Sequence, residues 1–351
     1  MNKEKVQAYL DETIKNLDSF VLTETDRKQI DRDLADFIVR KIDRKKFRRK
    51  LTDATKEKIQ QKINDSIKEQ KPLHFVIPFG GYKHYWNTSH PEPDWAEFFH
   101  FVWMAEYLAP ILAAYNPGVI IEYVSEDLIL NRMNNYPSEA LEAYAKQFKT
   151  IVNWFNTKVP KNLELRYFRI GDRYNKDEII KQVEALLPER REAFAKLSQE
   201  DQEKELHRSM RSVMWNGDKD LTGLTDQEKR QRIIDSRLIE LAYYEIESKP
   251  EYLSDYLWAD NHICICFSFG LSHDNASEDL TLSSAEGSIV DFWIGRGVLE
   301  SRENKLNPRI VSNKQYEAFD PKPESIRVSL NGIDLKNLQY VEVISLPASQ
   351  S

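Results

Sequence analysis

Cysteine is nearly missing from this chain: Cys264 and Cys266 are the two thiols among 351 residues. Both fall in the alternating run Ile263-Cys-Ile-Cys-Phe-Ser-Phe269, where residues two apart share one face of a strand. That is poor geometry for a mutual disulfide and too few ligands for a zinc site, so small buried side chains are expected. Long apolar runs are missing too. No stretch approaches the length needed to cross a bilayer, and the opening MNKEKVQAYLDETIKNL has no signal-peptide core, which predicts a cytoplasmic protein without a membrane partner. Positive charge is not in excess. A net charge of −7 argues against a dedicated nucleic-acid binder. GxGxxG, GK[ST] and GxSxG do not occur, and no histidine spacing completes a ligand set, so no standard nucleotide motif and no catalytic metal are expected.

What is present is ordinary globular material, 41% hydrophobic and 30% charged. Residues 1–70 predict a helical N-terminal segment, because Val6, Leu10, Ile14 and Leu17, then Ile30, Leu34, Phe37 and Ile38, then Ile59, Ile63 and Ile67 recur at helical spacing. Within it, Arg40 to Lys50 is strongly basic; a solvated helix face explains it more simply than a phosphate or RNA contact. From 71 to 351 the pattern predicts an α/β domain, a Rossmann-like and mostly parallel sheet flanked by helices, with 175–248 mainly helical. The expected strands are Phe75–Phe79, Val119–Val124, Leu163–Ile170, His262–Phe269 and Ile289–Ile294, with Ile310-Val311 and Tyr340–Ile344 as late additions.

The chemistry is expected at strand C-termini, where open α/β sheets carry their ligands. After the first strand come Gly80-Gly81, which either form a tight turn or let backbone N–H groups approach an anion, and then Tyr82, Lys83, His84, Tyr85, Trp86 and Asn87. Lys83 is a candidate phosphate binder, or an amine base if burial lowers its pKa. Asp94 and Glu97 fit a helix N-cap and its reciprocal capping-box partner, which leaves room for one of them to pair with Lys83. Ser125-Glu126-Asp127 ends the second strand, with Arg132 close behind. Of seven histidines, His273 beyond the strand 262–269 is best placed for proton transfer, while His74, His100 and His262 read as structural. Arg296 stands between two glycines, suited to a carboxylate or phosphate, or simply to a solvent-facing turn.

Taken in order, these pieces resemble the isonitrile (isocyanide) synthase family, also called the pyoverdine/dityrosine biosynthesis family. The landmarks are Pro78-Phe79-Gly-Gly-Tyr-Lys83, Pro93-Asp94-Trp-Ala-Glu97, Tyr115-Asn-Pro117-Gly118, Ser125-Glu126-Asp127, Glu142-Ala-Tyr144, Ser236-Arg237, Ser268 with His273, and Trp293-Ile-Gly295. The family's Lys-Ser-Pro-Asn and Asp-Gly-Arg are replaced here, and Arg296 stands where the late turn usually has histidine. The resemblance implies an enzyme of secondary metabolism that turns an amino acid's α-amine into an isonitrile. Ribulose 5-phosphate would supply the carbon, with no cofactor. It implies Lys83, His273 and Asp127 as catalytic groups. Gly80, Gly81, Tyr82, Tyr85, Trp86, Ser125, Glu126, Arg132, Arg237 and Arg296 would contact substrate. The partners are then an amino acid and a sugar phosphate, with a homodimer left open. The competing reading is a relative without synthase activity that binds phosphate ligands or nucleic acid through the 40–50 basic run and the Gly80-Gly81 loop. A nucleotidyltransferase ranks below both, since its strand-borne Asp-x-Asp pair is missing.

Overall fold

The computed structural model describes residues 2–43, 53–79, 83, 91–125, 128, 136–215, 221–247, 249, 251–252, 256, 259, 261–268, 280–283, 295–303, 305–311 and 313–345. The helices α1 (Lys3–Lys15), α2 (Glu24–Arg32), α3 (Leu34–Ile42) and α4 (Asp53–Glu69) come first. Their starts follow local chemistry. Thr23 and Asp26 form a reciprocal capping box on α2, and Asp33 caps α3 by accepting from the Asp36 N–H.

The main sheet is built from β1 (Leu73–Phe79), β2 (Val119–Ser125), β3 (Leu163–Arg169), β4 (His262–Ser268) and β5 (Leu280–Ser283) in the order β3-β2-β1-β4-β5, all parallel. Between them run α5 (Trp95–Ala114), α6 (Ser138–Phe155), and the helical stretch α7 (Lys176–Ala195), α8 (Gln199–Trp215) and α9 (Asp226–Glu247). The chain lays β1 in the centre, adds β2 and β3 on one side, then returns to place β4 and β5 on the other. The reversal makes the carboxyl edge between β1 and β4 a topological switch point, where such sheets open a crevice. The carboxyl ends of β1, β2 and β3 are flush: Phe79 pairs with Ser125, and Ser125 with Arg169.

Alternation along the strands divides the apolar residues between two faces. Leu73, Phe75, Ile77, Ile121, Tyr123, Leu165, Ile263 and Ile265 join one core with Val6, Leu10, Phe37, Ile38, Ile59 and Ile63 of the N-terminal helices. On the other face Val76, Val124 and Cys264 pack under Ile179 and Val183 of α7 and Ala242, Tyr243 and Ile246 of α9. The helix α5 is apolar nearly all round and is buried along its length except at Glu106 and the last two residues, as a helix covered on every side must be.

A second sheet covers α5 from outside. It comprises β6 (Arg296–Arg302), β7 (Lys305–Val311), β8 (Glu324–Arg327) and β9 (Tyr340–Ser345) in the order β7-β6-β9-β8, with β6 and β9 parallel and the other pairs antiparallel. The sequence pointed only to fragments of it, at Ile310-Val311 and Tyr340–Ile344. Polar residues at the ends of β6 (Arg296 and Glu300 to Arg302) and along β7 (Lys305, Asn307, Arg309) dilute the apolar signal that marks β1 and β2. The expected strand Ile289–Ile294 lies outside the described residues. Among the described residues, no helix is long and apolar enough to cross a membrane.

Candidate functional site

Past the carboxyl end of β1, the side chain of Lys83 is 2% exposed and lies between two carboxylates. Its Nζ donates to Asp94 Oδ1 at 3.0 Å and to Glu97 Oε2 at 2.6 Å. Both acids belong to the start of α5. Asp94 has the extended backbone of an N-cap, and its carboxylate accepts from the Ala96 N–H at 2.7 Å. Glu97 closes the box by accepting from the Asp94 N–H at 2.8 Å. The two acids therefore cap the helix and hold the lysine at once, and the reading of them as caps covers half of what they do. Tyr144 of α6 completes the surround by donating to Glu97 Oε1 at 2.9 Å. From the second sheet, the Gly297 N–H points to Asp94 Oδ1 at 3.4 Å.

Charge accounts for how this cluster holds its protons. One ammonium faces two carboxylates, and with both acids ionised a net negative charge would remain in a place shielded from water. Burial, reinforced by Asp94 and opposed by Lys83, pushes the Glu97 carboxyl up to about 7. Burial pulls Lys83 down, yet Asp94 and Glu97 together outweigh it and the ammonium ends above its usual range. An amine base would need the opposite shift. Lys83 is thus held as an ammonium, and Glu97 is the member of the cluster whose titration is moved toward neutrality. Asp94, with its side chain 17% exposed, is the member of the cluster that reaches outward.

The other expected contacts are placed as follows. Ser125 is buried at the end of β2, one strand from the Lys83 loop. Arg237 is held in the helical layer by Glu205 of α8 and Glu240 of α9, both at 2.6 Å, and a substrate contact would have to break these pairs. Arg296 stacks its guanidinium over the Tyr316 ring, 3.7 Å from the centroid. Gly80, Gly81, Tyr82, Tyr85, Trp86, Glu126, Asp127, Arg132 and His273 lie outside the described residues, as do 44–50 of the basic run. The histidines read as structural are engaged: His100 with the Tyr123 hydroxyl at 3.0 Å, His74 with Glu122 at 3.1 Å, and His262 against the His74 ring at 4.1 Å.

Arg169 went unnoticed in the sequence. It ends β3 beside Ser125 and pairs with Glu142 at 2.7 Å, next to a small cleft lined also by Ser138, Asp172 and Lys176. The available signal was its position, the last residue of an alternating strand in a parallel sheet.

No protein-family model matches this chain, and no curated protein matches it in sequence. Among solved structures the fold is similar to that of the PvcA protein from Pseudomonas aeruginosa, with a TM-score of 0.56, 14% identity, and coverage of 89% of this chain and 99% of that one. At such identity the likeness is one of fold. It runs through nearly the whole of both chains.

Proposed function

We propose that this chain is an isonitrile synthase-like enzyme. It would convert the α-amine of an amino acid to an isonitrile with ribulose 5-phosphate as the carbon donor, in secondary-metabolite biosynthesis. The observation that carries the reading is the meeting of separate landmarks at one point. Lys83 from the loop after β1, Asp94 and Glu97 from the start of α5, and Tyr144 from α6 are far apart in sequence and joined by hydrogen bonds of 2.6 to 3.0 Å. They meet at the carboxyl edge of a parallel sheet, where fold and chemistry both favour a ligand.

Condensing an amine with a ketone requires that a proton leave the attacking nitrogen and that another reach the departing hydroxyl. A cluster whose shared proton titrates at about 7 can exchange it in either direction near neutrality. The fixed Lys83 ammonium supplies positive charge for an oxyanion or phosphate approaching the edge. His273 and Asp127 are assigned the remaining proton transfers by their positions just past β4 and β2, and Ser125 and Arg132 the holding of the polar substrate.

The test is direct. The purified chain is incubated with ribulose 5-phosphate and a panel of amino acids, and products are followed by mass spectrometry for conversion of the amine with gain of one carbon. The reading expects one such product, reduced about 100-fold or more by Lys83→Ala and by His273→Ala. Absence of any product across the panel overturns it. Retention of RNA that is lost when the 40–50 basic residues are neutralised would replace it with the binding reading.

A further inference from the structure

Glu97 is fully enclosed, so its hydrogen bonds decide where a proton can sit. Among the described residues three donors reach its carboxyl, and they divide unevenly between the two oxygens. Oε2 accepts from Lys83 Nζ at 2.6 Å and from the Asp94 N–H at 2.8 Å. Oε1 accepts from the Tyr144 hydroxyl at 2.9 Å. A carboxylate oxygen has two lone pairs, so Oε2 is filled and Oε1 is not.

The three donors also differ in kind. An ammonium and a backbone N–H donate and cannot accept, whereas a phenol hydroxyl does both. A proton added to Glu97 therefore has one oxygen to bind, Oε1. The O–H so formed is shut away from water, and without an acceptor it would bear its full desolvation cost. On the side that faces Tyr144 it meets the phenol oxygen at 2.9 Å, and the phenol can turn its own proton aside. Lys83 and the Asp94 N–H keep their places throughout. The charged groups facing Glu97 are Lys83 from the loop after β1 and Asp94 from the cap of α5. β6 adds the Gly297 N–H, directed to Asp94, and the next turn of α5 carries His100, which engages the Tyr123 hydroxyl of β2.

We propose that Tyr144 is the positioning residue of this cluster. Its hydroxyl donates to Glu97 Oε1 while the acid is ionised, and accepts from it when Oε1 carries a proton. One proton from solvent bonds to Oε1 and the hydroxyl turns; no other bond forms or breaks. The use of that proton in turnover rests on the synthase reading. The reversal of the hydrogen bond does not.

The Tyr144 ring stacks on Phe148 with centroids 5.8 Å apart, so Tyr144→Phe keeps the packing and removes the hydroxyl. The experiment is an infrared pH titration of the full-length chain, following the protonated-carboxyl band that is absent from Glu97→Gln. A hydrogen bond to a charged group is about twice as strong as a neutral one, so losing the hydroxyl harms the carboxylate more than the acid. Tyr144→Phe should move the midpoint up by about one pH unit. An unmoved or lowered midpoint overturns the proposal, as does the absence of any such band in the wild type.

The accepting half has its own test. In Glu97→Gln the two N–H donors hold the amide oxygen in the place of Oε2, which turns the amide nitrogen towards Tyr144 and obliges the hydroxyl to accept. Adding Tyr144→Phe should then lower the unfolding midpoint more in Glu97→Gln than in Glu97→Met, which offers no donor. Equal drops overturn that half, and a tyrosine with a purely structural role predicts them.

The two proposals fail separately. A raised titration midpoint in Tyr144→Phe, with no one-carbon product from any amino acid, keeps the role of Tyr144 and removes the synthase. Product formation with the same pH–rate profile and the same carboxyl midpoint in Tyr144→Phe removes the role of Tyr144 and keeps the synthase.

Discussion

A single lysine between two acids is worth most when it cannot be removed alone. Lys83→Ala would leave Asp94 and Glu97 facing each other with no counter-charge, and such breaks of buried pairs cost about 3–5 kcal/mol. Chemical denaturation of Lys83→Met against Lys83→Met/Glu97→Gln should show the second change recovering part of the loss, because it removes the stranded charge. A further loss on adding Glu97→Gln would contradict the electrostatic account. The pH dependence has a definite sign. Glu97 is raised from about 4.5 to about 7 by folding, so the folded state holds one more proton than the unfolded state between those values. The stabilisation it gives is complete below pH about 4.5 and is lost as pH rises to about 7. Unfolding midpoints of wild type should therefore fall across that window relative to those of Glu97→Gln, and parallel profiles would show that the proton is not on Glu97.

At the scale of elements, the start of α5 is where the two sheets and the site are tied together. Asp94→Asn keeps a side-chain oxygen for the cap and drops the charge, whereas Asp94→Ala drops both. The two variants should differ by about 0.5–2 kcal/mol, the worth of an N-cap, and equal stabilities would deny Asp94 that role. Gly297 provides an independent reading. A Cβ at this position would sit 2.1 Å from the Trp95 carbonyl carbon and 2.2 Å from the Ala96 nitrogen, so β6 rests on the helix backbone itself. Gly297→Ala must push β6 off α5, with a cost of about 1–3 kcal/mol measurable by thermal unfolding. The same variant should disturb the Asp94 end of the cluster, to which the Gly297 N–H is directed.

Over the whole molecule, the N-terminal helices and the main sheet bury their apolar residues in one core. Ile38 of α3 and Phe98 of α5 are both fully buried in it. Ile38→Ala should cost about 2–5 kcal/mol and Phe98→Ala about 3–5 kcal/mol. Each should shift a single cooperative transition followed by both far-ultraviolet and tryptophan signals. Separate transitions would mean that 1–70 unfolds on its own.

The strands β1, β2, β3 and β4 were legible to within about two residues: a strand buried on both faces, such as β2, is apolar in consecutive positions, and β3 shows the alternation of a strand with one covered face. The cap at Asp94 and Glu97 was legible for a related reason: capping is a local interaction between residues three apart. The second sheet was not, since β6 pairs with β9 across some forty residues and half of its surface is polar, so no window of sequence contains the pattern that stabilises it. The same holds for the site. Residue type and strand-end position singled out Lys83 and Ser125, but not Arg169, whose meaning depends on Glu142 and Lys176 arriving from other elements. Local spacing determined where helices begin, which strands are buried and which loop follows β1. Only the tertiary structure decided that Lys83 is enclosed between two acids, that burial pushes the Glu97 carboxyl beside it up, and that the edge of β3 carries both signs of charge. Protonation and pairing depend on distance and burial, and those are set by groups far apart in the chain.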